Sequence, residues 1–174
     1  MTTIIGSLAF SFILLFNTFI LQGDRVMPEV VGKDLNGKKV VLPAAAPRKF
    51  ILLGVASSVK SMDYIQKWAE ETTKAFDGNQ MYQVALYFAG FTENIKAISQ
   101  DKIFLKMKEN VSEDFYPQVL QVTEKNDELL SKMGITNKNE FYIVIIDPRH
   151  NIVHTESGVY TEKKMEAIAD WLTR

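Results

Sequence analysis

The sequence predicts an α/β protein: a three-layer α/β/α sandwich with a mixed central sheet and a C-terminal antiparallel hairpin. Two observations lead to this prediction. Continuous apolar runs of strand length alternate with amphipathic segments of helical period, and this alternation implies parallel neighbouring strands joined by right-handed crossovers. The last apolar run is followed by a turn and a second strand with no helix between them, which adds an antiparallel edge.

The first half of the chain contains three predicted strands and two predicted helices. A strand over Gly37–Pro43 follows an Asn-Gly turn, and Phe50–Ala56 is a continuous apolar run typical of a strand buried on both faces. Ser61–Phe76 is predicted to be one helix, because apolar residues recur there at steps of three and four. Met81–Phe91 resembles another interior strand, and the polar, lysine-rich segment Asn94–Glu109 is predicted to be helical.

The second half continues the same alternation and ends in the hairpin. Tyr116–Val122 is predicted to be a strand, and Asn126–Gly134 a short helix that ends at its glycine. Phe141–Asp147 is a third buried strand, which turns into a hairpin partner over Ile152–Ser157. The last helix is predicted over Thr161–Leu172, with its first residue as the cap.

Length and composition indicate one globular domain and exclude several functions. The chain has 174 residues, of which 47% are hydrophobic and 24% charged, values that are ordinary for a globular protein. Twenty basic and 21 acidic residues give a net charge of −1, without the basic excess of a nucleic-acid-binding protein. The sequence has no cysteine, which excludes disulfides, thiolate catalysis and cysteine-ligated metals.

The N-terminal segment favours export. Residues 1–23 carry no charge, and residues 4–21 form an almost uninterrupted apolar run, just long enough to cross a bilayer. The run is a cleaved signal peptide, an uncleaved membrane anchor or a buried helix of the domain, and a lipoprotein anchor is excluded because no cysteine follows it. We therefore expect an exported, periplasmic or otherwise extracytoplasmic protein, with a domain over residues 24–174.

The turn after the apolar run Phe50–Ala56 is the main candidate site. It contains Ser57, Ser58, Lys60 and Ser61. The simplest interpretation is that one serine hydroxyl, most simply that of Ser61, caps the following helix. The alternative is an anion cradle formed by the hydroxyls, backbone N–H groups and Lys60.

The two histidines of the sequence do not complete a catalytic or metal site. His150 and His154 lie four residues apart across a predicted turn, so they do not share a helix face. A serine nucleophile needs a base within hydrogen-bond reach, and a metal site needs a third ligand. We predict no catalytic residue, no metal and no cofactor.

Two surface features are alternatives to a purely structural interpretation. Tyr64, Trp68 and Phe91 would form an exposed aromatic patch beside the turn if they cluster, although Trp68 is more simply a core residue. The lysine-rich segment Asn94–Glu109 is either a solvated helix face or a contact with a membrane or acidic partner.

Four segments together resemble the thioredoxin fold, and within it the exported TlpA-like branch of thiol–disulfide oxidoreductases. They are the opening segment GDRVMPEVVGKDLNGKKVVL, the strand, turn and helix KFILLGVASSVKSMDYIQKWAEE, the short helix DELLSKMGI and the hairpin FYIVIIDPRHNIVHTESG. They occur in this order, and the resemblance as a whole covers roughly residues 23–174. The stretch LLSKMGITNKNEFYIVIID is also similar to the thioredoxin-like branch that assists assembly of mitochondrial ATP synthase.

The resemblance assigns functional positions that this sequence does not fill with the usual residues. The family's Cys-x-x-Cys motif falls on Ser58 and Ser61, and serine hydroxyls form neither a thiolate nor a disulfide. The family's cis-proline falls near Glu140 or Phe141, where the sequence NKNEF has no proline and a trans bond is expected. The candidate binding turn therefore comprises Ser57, Lys60, Glu140 and Phe141.

These observations predict a non-catalytic thioredoxin-like protein, exported or associated with a membrane through residues 4–21. It would act by binding a protein partner in an assembly or chaperone-like role, and we expect no nucleic-acid partner. The alternative is a redoxin-like thiol–disulfide oxidoreductase relative whose redox role is inherited or depends on the thiols of a partner.

Overall fold

The computed structural model describes residues 25–79, 81–93, 95, 98–124 and 127–173. The predicted leader at residues 1–23 lies outside the described residues. Within the described ranges, no helix is long and apolar enough to cross a membrane.

Eight strands and five α-helices make up the described part of the chain. The strands are β1 (Arg25–Val26), β2 (Val30–Asp34), β3 (Lys39–Leu42), β4 (Phe50–Ala56), β5 (Val84–Phe91), β6 (Val119–Val122), β7 (Tyr142–Ile146) and β8 (Asn151–Ser157). The α-helices are α1 (Val59–Met62), α2 (Ile65–Phe76), α3 (Gln100–Glu109), α4 (Asp127–Lys132) and α5 (Glu162–Leu172), and a 3-10 helix spans Glu113–Gln118.

All eight strands join one mixed sheet in the order β1-β8-β7-β4-β5-β6-β2-β3. Strands β4, β5 and β6 run parallel, while β7 and β8 form the antiparallel hairpin beside β4. The hairpin β2–β3 extends the other end of the sheet, antiparallel to β6. The predicted mixed sheet with its C-terminal hairpin is confirmed.

The central strands are buried on both faces, so their side chains divide between two cores. Ile51, Leu53 and Val55 face the core that includes α4. Leu52 and Ala56 face the opposite core, which is covered by the buried faces of α2 and α5. Two helical layers therefore enclose the sheet, as the predicted three-layer sandwich requires.

Several predicted boundaries were wrong. The helix predicted over Ser61–Phe76 is two helices, because the helical structure is interrupted between Met62 and Ile65. The strand predicted over Tyr116–Val122 begins only at Val119, since the preceding residues, including Pro117, form the 3-10 helix.

Three further differences concern strands and helix starts. Strands β1 and β2 were not predicted: β1 is two residues long and pairs with β8, which is distant in sequence, while β2 pairs with the neighbouring β3 and also with the distant β6. Helix α3 begins at Gln100, capped by the Ser99 hydroxyl, and the predicted start at Asn94 lies outside the described residues. In contrast, Thr161 caps α5 as predicted, because its side chain accepts a hydrogen bond from the N–H of Lys164.

Candidate functional site

The turn between β4 and α1 is closed by two serine hydroxyls that bind each other's backbone. Ser58 is the N-cap of α1, and its Oγ accepts from the N–H of Ser61 at 3.1 Å. The Oγ of Ser61 accepts from the N–H groups of Ser57 and Ser58, each at 2.9 Å. It also donates to the carbonyl oxygen of Ser58 at 3.0 Å. This is a capping box. The prediction that a serine hydroxyl of this turn caps the helix is confirmed, but the cap is Ser58 and not Ser61, because Ser61 occupies the third helical position.

These hydrogen bonds limit what the turn can do chemically. The N–H groups of Ser57 and Ser58, which an anion cradle would use, are already bonded to Ser61. The side chain of Ser61 is fully buried, so it cannot meet a substrate. Neither histidine is a base for it: His154 binds Glu156 at 3.0 Å and stacks on Trp171, while His150 lies in the turn before β8 with φ of 71°.

The loop over residues 138–141 lies directly against this turn. The Ser57 hydroxyl donates to the carbonyl oxygen of Lys138 at 3.3 Å. The Asn137 side chain donates to the Glu140 carboxylate, and the Asn137 N–H donates to the Tyr142 hydroxyl oxygen. The peptide bond before Phe141 is trans, as expected. The structure therefore brings together the turn and the loop in which the resemblance places the cis-proline.

Only part of the predicted binding turn can contact a partner. Ser57 and Phe141 are buried, and Phe141 packs into the core beside Gly54. Lys60 is exposed and Glu140 is half-buried. Contact with another molecule is therefore open to Lys60 and Glu140, while Ser57 and Phe141 hold the two segments in place.

A third segment, residues 158–159, is bonded to the second. The N–H of Gly158 donates to the carbonyl oxygen of Phe141 at 2.8 Å, and the Gly158 carbonyl accepts from the Trp68 indole at 2.9 Å. The ammonium of Lys164 donates to the carbonyl oxygens of Ser157 and Val159. We call residues 57–61, 138–141 and 158–159 together the turn surface.

Sequence reasoning missed two apolar side chains on the turn surface. Val59 is 58% exposed and Val159 is 54% exposed, the largest exposed apolar groups of the three segments. Val59 lies inside the four-residue motif where the serines replace cysteines, but nothing in the sequence indicated its exposure. Val159 follows a glycine with φ of 83°, which indicates a turn and therefore a surface position.

The alternative of an exposed aromatic patch beside the turn is wrong, and the simpler interpretation of Trp68 as a core residue is confirmed. Trp68 is 1% exposed and Phe91 is fully buried. They also belong to different cores, since Phe91 faces the α4 side of the sheet and Trp68 faces the α2 side. Trp68 packs in the core on the α2 side of the sheet, and its indole N–H donates to the carbonyl oxygen of Gly158 in the turn surface.

Helix α2 carries an ion pair beside Tyr160, the residue that follows the turn surface. A hydrogen bond from Lys67 to Glu71 at 2.8 Å raises the pKa of Lys67 and lowers the pKa of Glu71. The Lys67 ammonium also lies 5.4 Å from the centre of the Tyr160 ring. Among the described residues, no group of three histidine, aspartate or glutamate side chains could hold a metal ion.

The comparison with known proteins rests on solved structures. No protein-family model and no curated protein matches the sequence. The exposed lipoprotein thioredoxin of Streptococcus pneumoniae is similar in structure, with a TM-score of 0.59 and 17% identity over 83% of this chain and 98% of that chain. The thioredoxin domain of a thiol–disulfide oxidoreductase from Bacteroides vulgatus has a TM-score of 0.60 and 16% identity over 86% and 98% of the two chains.

The third similar structure is BsSco, a member of the Sco family of cytochrome c oxidase assembly proteins, with a TM-score of 0.60 and 14% identity over 86% and 93% of the two chains. The fold is thioredoxin-like. The fold implied by the four sequence segments is thus confirmed, and these low identities show the fold alone. Within this thioredoxin-like fold, the turn surface lies where a parallel strand, β4, ends and a helix begins.

Proposed function

We propose that this chain is a non-catalytic thioredoxin-like protein that acts outside the cytoplasm by binding another protein, in an assembly or chaperone-like role. One observation carries the proposal. The positions that the resemblance assigns to the redox cysteines hold Ser58 and Ser61, and both hydroxyls are engaged in a capping box. These two side chains therefore serve to cap the start of helix α1.

Redox catalysis by the chain alone conflicts with its chemistry. Thiol–disulfide exchange requires a thiolate that attacks a disulfide sulfur, and the sequence contains no cysteine. A serine hydroxyl is a weak nucleophile without an adjacent base, and the hydroxyl of Ser61 is buried among backbone groups. What the turn surface can still offer is contact with another molecule.

The exposed groups of the turn surface suit contact with a protein. Val59 and Val159 supply apolar area, while Lys60 and Glu140 supply opposite charges beside it. Interfaces commonly combine an apolar centre with a polar rim. Because the three segments are joined by hydrogen bonds, the surface is held in one arrangement before a partner arrives, which reduces the entropic cost of binding.

Two further observations support the extracytoplasmic location. Residues 4–21 are apolar and uncharged, as in an export signal or anchor. One structural neighbour is described as an exposed lipoprotein thioredoxin, and another as belonging to a family of cytochrome c oxidase assembly proteins. The same kind of location and an assembly role are therefore the natural proposals for this chain.

Site-specific photo-crosslinking tests the proposal. A photoreactive amino acid replaces Val59, Val159 or, as the matched control, Leu105, which is also 58% exposed but lies on α3. After irradiation of cells, adducts from membrane and soluble fractions are identified by mass spectrometry. We expect one defined protein adduct from both valine positions and none from Leu105. Identical adducts from all three positions, or none from the valines, would contradict binding through the turn surface.

A further inference from the structure

A groove separate from the turn surface lies between helices α2 and α5. It is an open depression on the protein surface with a volume of about 390 Å³. Its apolar part is formed by the rings of Phe76, Tyr82 and Tyr160 and by the thioether of Met165. Phe76 and Tyr82 pack edge to face at 5.1 Å, so the aromatic wall is held by its own contacts.

The α5 side of this groove also carries acidic residues. Glu162 and Glu166 lie one turn apart on α5 and both line the groove. Both are exposed, and neither forms an ion pair with a described residue. Like charges in this spacing repel each other, and a cation bound between them would relieve that repulsion.

The lysines around the groove are engaged elsewhere or do not line it. The ammonium of Lys164 binds the carbonyl oxygens of Ser157 and Val159. The ammonium of Lys67 binds Glu71 while lying over the ring of Tyr160. That contact shows that the Tyr160 ring accepts a cation on one of its faces.

We propose that this groove binds an extended protein segment that carries basic residues at two alternate positions, arginine above all. Side chains at alternate positions of an extended chain project on the same side about 6.6 Å apart. This spacing is close to the roughly 6 Å between side chains one helical turn apart, such as Glu162 and Glu166. Each basic group can therefore meet one carboxylate.

Arginine fits both sides of the groove. Its aliphatic stem covers apolar surface such as Met165, and its planar guanidinium stacks on tyrosine rings and pairs with carboxylates. A single small ammonium ion would meet only part of this arrangement, because two carboxylates and three rings line the groove. A basic segment thus matches the groove in charge, in spacing and in apolar contact.

A peptide titration of the full chain in a non-ionic detergent tests the proposal. The probe is acetyl-Gly-Arg-Val-Arg-Leu-Gly-amide, and the matched peptide has glutamate in place of both arginines. Chemical shifts of the isotope-labelled protein report binding. We expect the arginine peptide to shift the signals of Tyr82, Tyr160 and Met165, and the glutamate peptide to leave them unchanged.

Charge variants distinguish binding of the peptide in the groove from non-specific attraction between opposite charges. The variant Glu162→Gln/Glu166→Gln should raise the Kd of the arginine peptide about fivefold, as expected for two exposed ion pairs. The variant Asp101→Asn/Glu109→Gln on α3 changes the net charge equally and should leave the Kd unchanged. All four residues are exposed, and thermal unfolding verifies that both variants fold. The proposal is overturned if the arginine peptide does not bind, if both variants weaken binding equally, or if the shifted signals lie outside the groove.

Discussion

The indole N–H of Trp68 donates a hydrogen bond to the carbonyl oxygen of Gly158 at 2.9 Å. This bond ties the first turns of α2 to the segment after β8. The N–H of Gly158 is bonded in turn to the carbonyl of Phe141, so one buried indole supports two of the three segments of the turn surface. The ring of Trp68 also packs edge to face against Tyr160 at 5.4 Å.

Replacing Trp68 with phenylalanine should destabilise the protein. The variant keeps an aromatic ring but removes the donor, leaving the Gly158 carbonyl without its partner. We expect the free energy of unfolding to fall by about 1–3 kcal/mol, measured by denaturant unfolding. The matched control is Tyr64→Phe, because the Tyr64 hydroxyl has no hydrogen bond within the described part of the chain. An equal loss in both variants would show that the bond to Gly158 contributes nothing.

The two serines of the turn should differ in their effect on stability. Ser61→Ala removes a buried oxygen that accepts from two backbone N–H groups, and should lower the free energy of unfolding by about 1–3 kcal/mol. Ser58→Ala removes only a helix cap, with an expected loss of about 1 kcal/mol. Ser112→Ala is the control, because the Ser112 side chain makes no capping hydrogen bond. A larger loss from Ser58→Ala than from Ser61→Ala would contradict the geometry of the capping box.

Gly54 should not tolerate a side chain. A Cβ at this position would lie 2.6 Å from the ring of Phe88 and 2.7 Å from the ring of Phe141. We expect Gly54→Ala to lower the free energy of unfolding by about 1–3 kcal/mol, because both rings are packed in the core. Gly90→Ala is the matched control in a neighbouring strand. Its nearest contacts are methionine methyl groups at 3.3 and 3.4 Å, so its loss should be smaller.

The pair of Lys67 and Glu71 should give stability a dependence on acid pH. The hydrogen bond from Lys67 lowers the pKa of Glu71 in the folded protein below its value in the unfolded chain. Its contribution to stability is therefore present above the ordinary glutamate pKa and is lost as the pH falls through the lowered value. Carbon NMR titration should show the pKa of Glu71 rising in Lys67→Met and unchanged in Lys163→Met. An unchanged value in both variants would mean that Lys67 does not set it.

Local patterns in the sequence predicted those parts of the fold that depend on local chemistry. The strand Phe50–Ala56 was predicted with its observed bounds, because a short uninterrupted apolar run between polar segments is typical of a strand buried on both faces. The cap of α5 at Thr161 was also predicted correctly, since a capping hydroxyl acts within one turn of its helix.

The remaining features depend on contacts between residues far apart in sequence. Strand β1 has two residues and pairs Arg25 with Ile152 of β8, so its own pattern did not identify it. Periodicity could not show that Phe91 and Trp68 face opposite sides of the sheet. The sequence favoured Ser61 as the cap, because its pattern did not show that the first helix begins at Val59, which makes Ser58 the cap.

We infer that the chain has no redox activity of its own. The most direct test is to measure the rate at which dithiothreitol reduces insulin, with and without the purified full chain. We expect the natural chain to leave the rate unchanged from dithiothreitol alone, because its sulfur atoms are all methionine thioethers, which can neither form nor exchange a disulfide.

The variant Ser58→Cys/Ser61→Cys is the positive control, because its two thiols would occupy positions whose hydroxyl oxygens lie 3.2 Å apart. Acceleration by this variant and none by the natural chain is the predicted result. Reproducible acceleration of insulin reduction by the natural chain would contradict the account.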